Sequence, residues 1–189
     1  MKYILLVFSF LVFNCSFSQI TNTVVNKENF QNSGFLFKGS RVLQVENIST
    51  PTEENYFVFS KNDRNSEQDE LYIQQFKQIN GDWVVVAEDI VAEPGIITSV
   101  WNARKAFFDA DKDGSADVLF VYSKHPKENI DVQNGVVLLL IYKNKFYRIE
   151  NYAETNYESM YDLYDFNPED LPVVVFDKFK NFWQNLDKE

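Results

Sequence analysis

Four aspartates, Asp109, Asp111, Asp113 and Asp117, crowd around Gly114 in the stretch DADKDGSAD. Carboxylates this close repel one another unless water or a cation neutralises them. Calcium binds roughly six to eight oxygens and is the natural candidate. The alternating spacing sets the first three aspartates on one side of a turn. Gly114 admits the left-handed backbone needed to wrap that turn around an ion. Ser115 offers its carbonyl, and Asp117 completes the shell. The competing reading is an acidic surface turn that is solvated and holds no ion.

A D-x-D-x-D-G opening also begins the calcium loop of helix–loop–helix sensors, which requires a bidentate Glu at the twelfth position. Here that position is Phe120. The flanks, Lys105-Ala106-Phe107-Phe108 and Val118-Leu119-Phe120-Val121-Tyr122, are β-branched and aromatic with no helical period. The loop instead resembles the D-x-D-x-D-G-x-x-D element of FG-GAP and VCBS repeats. That resemblance implies calcium in a structural role between two strands, with side chains from Asp109, Asp111, Asp113 and Asp117 and a main-chain oxygen from Ser115. The motif occurs once in the chain, so a propeller of repeats is not expected.

Other chemistry has little to work with. There is one histidine, His125, and one cysteine, Cys15. Cys15 falls in an N-terminal segment that reads as an export signal, so the expected mature chain has one histidine and no cysteine. Multi-histidine zinc sites and Cys–His catalysis are then excluded, and Gly-x-Ser-x-Gly, phosphate-loop and dinucleotide fingerprints are absent. A carboxylate-based hydrolase of the glycosidase kind remains the alternative to a non-catalytic domain. With 28 Asp and Glu, the sequence nominates no pair. His125 lies in a polar bend and reads as a surface residue.

The N-terminus reads as an export signal over 1–18. Lys2 is followed by an apolar run from Ile4 to Phe13, too short to span a bilayer, and then by small residues at Ser16 and Ser18. The expected location is periplasmic or extracellular. In the alternative reading, Cys15 carries a lipid anchor. No later segment is apolar enough for a transmembrane helix. A net charge of −10 disfavours nucleic acid and anionic membranes as partners. A cell-envelope glycan or protein remains open as a partner, because aromatics at 16% could line a contact as well as fill a core. Trp101 and the tyrosines from Tyr152 to Tyr164 are the candidates for such a contact.

The elements that position the acidic loop are mostly strands. Residues 19–33 read as a flexible lead-in, and 34–189 as one β-rich domain. Short strands are expected at Gly34–Gly39, Arg41–Val45 and Asn55–Ser60, followed by a solvated loop over Lys61–Glu70. Leu71–Ile79 and Trp83–Ile90 flank Asn80-Gly81, a strong hairpin signal, with a bulge near Gln74-Gln75. A second hairpin spans Val136–Tyr142 and Phe146–Ile149. The run VVLLLIY is apolar on both faces and reads as a central strand covered on both sides. After Asn167-Pro168, helical spacing of Val175, Phe176, Phe179, Phe182, Trp183 and Leu186 predicts an amphipathic helix over 171–187 packed on the sheet. Tyr157–Phe166 reads as a short helix or turn before it. The expected class is therefore α+β, mainly β: an antiparallel sheet of hairpins with a C-terminal helix. This organisation is similar to that of small exported Bacteroidota proteins, some of them linked to surface polysaccharide biosynthesis, which implies a cell-envelope role.

Overall fold

A computed structural model describes residues 19–152 and 161–187. The export segment 1–18, with Cys15, and the first part of Tyr157–Phe166 lie outside the described residues. The chain is mainly β, in two antiparallel five-stranded sheets rather than one. The first sheet runs in chain order through β1 (Thr21–Thr23), β2 (Arg41–Ser49), β3 (Glu54–Lys61), β4 (Leu71–Ile79) and β5 (Asp82–Val91). The second holds β6 (Ile96–Phe108), β7 (Asp117–Pro126), β8 (Gly135–Tyr142), β9 (Lys145–Tyr152) and β10 (Tyr161–Tyr164). Short helix α1 (Lys27–Gln31) precedes β2, and α2 (Val173–Gln184) follows β10.

The turn chemistry fixes the hairpins. Asn80 and Gly81 both take positive φ between β4 and β5, as a two-residue hairpin turn demands. Lys143 and Asn144 do the same between β8 and β9. The β4–β5 register slips between Gln75 and Phe76, next to the pair where the alternation breaks.

β8 shows why the sheets stack. It sits in the middle of its sheet, and all eight of its residues are buried. Alternate side chains of a strand face opposite ways. Val137, Leu139 and Ile141 accordingly join Phe57, Phe59, Ile73 and Phe120 in a core between the sheets. Val136, Leu138 and Leu140 join Leu119, Val121 and Ile149 on the other face, in one cluster with Val175, Phe179 and Trp183 of α2. Full burial of a side chain such as Phe120 contributes about 1.5–3 kcal/mol.

Three local readings differ from what is found. Residues 19–33 carry β1, paired with β2, and α1, whose Phe30 is buried. Gly34–Gly39 forms no strand. Phe35 instead meets Phe76 edge-on at 4.8 Å, and it belongs with Phe37 and Trp83 to a cluster on the outer face of the first sheet. Aromatic packing overrides β propensity there. Tyr161–Tyr164 is an edge strand on β9 rather than a helix or turn.

Candidate metal centre

The acidic loop connects β6 to β7, where Phe108 pairs with Asp117. Its shape is set by its own side chains. The two Asp109 carboxylate oxygens accept the backbone N–H groups of Asp113 (3.0 Å) and Gly114 (3.1 Å). Asp113 Oδ1 accepts from the Ser115 N–H at 2.8 Å. Lys112 and Gly114 take φ of 58° and 89°, left-handed values that fold the chain back on itself. A Cβ at Gly114 would meet nothing closer than 3.6 Å, so φ rather than space selects glycine there.

Two neighbouring turns hold the loop. Thr52 Oγ1 donates to the Gly114 carbonyl at 2.9 Å, and Glu53 accepts from the Ala116 N–H at 3.4 Å. From the β8–β9 hairpin, the Tyr142 hydroxyl donates to Asp111 Oδ2 at 2.8 Å. The Lys143 ammonium bridges Asp111 and Asp113 at 3.1 and 3.0 Å.

Asp109, Asp111 and Asp113 each offer an oxygen, and the three lie within 4.8 Å of one another. Oxygens on opposite sides of a calcium ion stand about 5 Å apart, so the trio matches the span of such a shell. Asp111 Oδ1 is buried and has no hydrogen-bond partner. Asp117 is not part of this trio. It is 2% exposed, and its Oδ2 accepts the Ala110 N–H at 3.0 Å. Burial, reinforced by the charges of Asp111, Asp113 and Asp109, pushes its carboxyl up to about 7. Burial works the same way on Asp111, but the Tyr142 hydroxyl and the Lys143 ammonium outweigh it and hold that carboxyl below its ordinary value. Ser115 lies in the loop with its N–H turned to Asp113.

Thr52, Glu53, Tyr142 and Lys143 are the participants that sequence reasoning missed. They sit 57 or 56 residues before Asp109 and 25 or 26 residues after Asp117 in the numbering, and no motif links those segments. The available signal was the basic run Lys143-Asn144-Lys145 between the strands expected at Val136–Tyr142 and Phe146–Ile149.

Other candidate residues fall in structural roles. Both His125 ring nitrogens are engaged, with Ser123 Oγ at 2.8 Å and the Val132 carbonyl at 3.0 Å. Ser123 is 1% exposed, and its hydroxyl also accepts the Trp101 indole N–H at 2.9 Å. This Ser–His contact therefore presents no nucleophile to solvent. Asp69 departs from the solvated loop expected for Lys61–Glu70. It pairs with Lys61 Nζ at 2.6 Å and accepts the Thr98 N–H at 2.9 Å. Tyr161 and Tyr164 are exposed on the edge strand. No helix among the described residues is long and apolar enough to cross a membrane. Compared with known proteins, the chain matches no family model, no curated protein and no solved structure.

Proposed function

We propose that this chain is an exported, non-catalytic domain of the cell envelope or extracellular space whose β6–β7 loop holds a structural calcium ion. Asp109, Asp111 and Asp113 supply carboxylate oxygens, with Ser115 and Asp117 completing the set. The observation that carries the reading is the buried, unpartnered Asp111 Oδ1 among three carboxylates whose oxygens lie within 4.8 Å. An orphaned buried oxygen costs stability, and a hard cation is the partner that an anionic oxygen set of this size accepts. The ion would supply charge neutralisation and would tie β6 to β7. In the same reading α2 acts as an amphipathic cover for the outer face of the second sheet, with Val175, Phe179 and Trp183 inward. The domain would then offer its surface to a cell-envelope glycan or protein.

Thermal melting of the chain with calcium and with chelator tests this. At a hundredfold excess over its dissociation constant, an ion bound only to the folded state adds about 2.7 kcal/mol. For a chain of this size that raises the melting temperature by roughly 5–10 °C. Asp111→Ala and Asp113→Ala should remove the response. Identical melting in calcium and chelator for the unmodified chain would sink the reading.

A further inference from the structure

At the other end of β3 and β6 from the acidic loop, the two sheets part to form a cleft of about 680 Å³. We propose that this cleft binds a small organic anion, in which a carboxylate or phosphate on a compact, partly apolar body meets Arg41 and Arg64.

The charge of the lining runs against that of the molecule. The chain carries 28 acidic and 18 basic residues, yet Lys27, Arg41, Lys61, Arg64 and Lys127 line the cleft against only Asp63 and Asp69. Asp69 is already matched, since Lys61 Nζ takes both of its oxygens at 2.8 and 2.6 Å and also donates to the Thr98 carbonyl at 2.6 Å. That network joins the end of β3 in one sheet to β6 in the other and gives the cleft a fixed floor. Asp63 Oδ1 caps its own loop by accepting the Asn65 N–H at 2.9 Å.

The remaining cations keep free donors. Among the described residues, the side chains of Lys27 and Arg64 make no hydrogen bond or ion pair. Arg41 uses only its Nε, on the Asn62 carbonyl at 3.0 Å, and Lys127 Nζ meets the Glu67 carbonyl without a counter-charge. Guanidinium groups with free terminal nitrogens suit planar carboxylate and phosphate groups, which they bind in a two-pronged fashion. Leu43, Ile97 and Val100 add an apolar wall that a bare inorganic ion would not need. The volume lies within the range of small-molecule sites, about 300–1,000 Å³.

Calorimetric titration of the full chain at low ionic strength with phenyl phosphate, benzoate, inorganic phosphate and phenol tests the proposal. Saturable binding of phenyl phosphate or benzoate is expected, with the stronger of the two identifying the head group. Phenol should not bind, and inorganic phosphate should bind more weakly than phenyl phosphate. Arg64→Gln, at an exposed side chain with no partner to lose, should weaken binding about tenfold, the size expected for one charge-assisted hydrogen bond. Arg41→Gln should do the same. Asp111→Ala should leave it unchanged, which separates this site from the calcium reading. Absence of saturable binding by both aromatic anions, or equal binding by the Arg64→Gln chain, would overturn the proposal. Inorganic phosphate matching phenyl phosphate would overturn the organic body.

Discussion

Lys143 Nζ stands 3.1 Å from Asp111 Oδ2, so the hairpin after β8 brings its own cation to the mouth of the acidic loop. It lies 3.0 Å from Asp113 Oδ2 as well. The ammonium occupies oxygens that a divalent ion would share, and its side chain is about half exposed to water. A calcium ion bound as proposed would therefore compete with a tethered single charge. Lys143→Met is expected to lower the calcium dissociation constant by up to about fivefold, the scale of exposed ion pairs. Calorimetric calcium titrations of both chains measure this. Weaker binding by Lys143→Met would mean that the ammonium organises the loop instead of competing for it.

Asp117 is expected to add one pH-dependent contribution to the stability of the calcium-free chain. Its folded carboxyl titrates at about 7 against an ordinary 3.8, chiefly because it is buried. Between those values the folded state keeps a proton that the unfolded state has lost. Stability therefore falls as pH rises. The contribution is complete below about 4 and gone above about 7. In chelator, urea midpoints should decline across that window, and Asp117→Asn should flatten the decline. A midpoint that climbs with pH in the unmodified chain and stays level in the variant would contradict the assignment.

The parts legible in the sequence are those governed by local rules. Asn80-Gly81 specifies its hairpin because few residue pairs accept two positive φ values. The run from Val136 to Tyr142 announces a strand covered on both faces because neither of its alternating sets is polar. The acidic spacing marks the loop. What stayed hidden depends on distant partners. Nothing in Gly34–Gly39 says that Phe35 will leave β structure for an edge-on contact with Phe76. Asp69 reads as one more acid in a polar loop until Lys61 and Thr98 arrive from two different sheets. The division into two sheets is equally silent, because the turn at Glu93-Pro94-Gly95 looks the same whether β5 and β6 pair or part.

The two faces of β8 should respond differently to truncation. Leu138 lies in the cluster shared with α2, and Leu139 in the core between the sheets. Both are fully buried, so Leu138→Ala and Leu139→Ala should each cost about 2–5 kcal/mol. Only Leu138→Ala should speed amide hydrogen exchange in α2 at a matched distance from the unfolding midpoint. Equal acceleration in both variants would mean that α2 is coupled to the whole fold rather than to one face.

The Lys61–Asp69 pair gives a separate test of how the sheets are clamped. Lys61 is 6% exposed at its side chain and Asp69 14%. Burial draws the lysine pKa downward, while Asp69 works to restore it. Lys61→Ala leaves the Asp69 carboxylate without its counter-charge and is expected to cost about 3–5 kcal/mol. Neutralising both sides should cost less. In Lys61→Met with Asp69→Asn, the amide oxygen can still accept the Thr98 N–H, and no charge is stranded. Urea unfolding of the single and double variants measures the difference. A double variant as unstable as Lys61→Ala would show that the charge itself, beyond the hydrogen bonds to Thr98, holds β3 against β6.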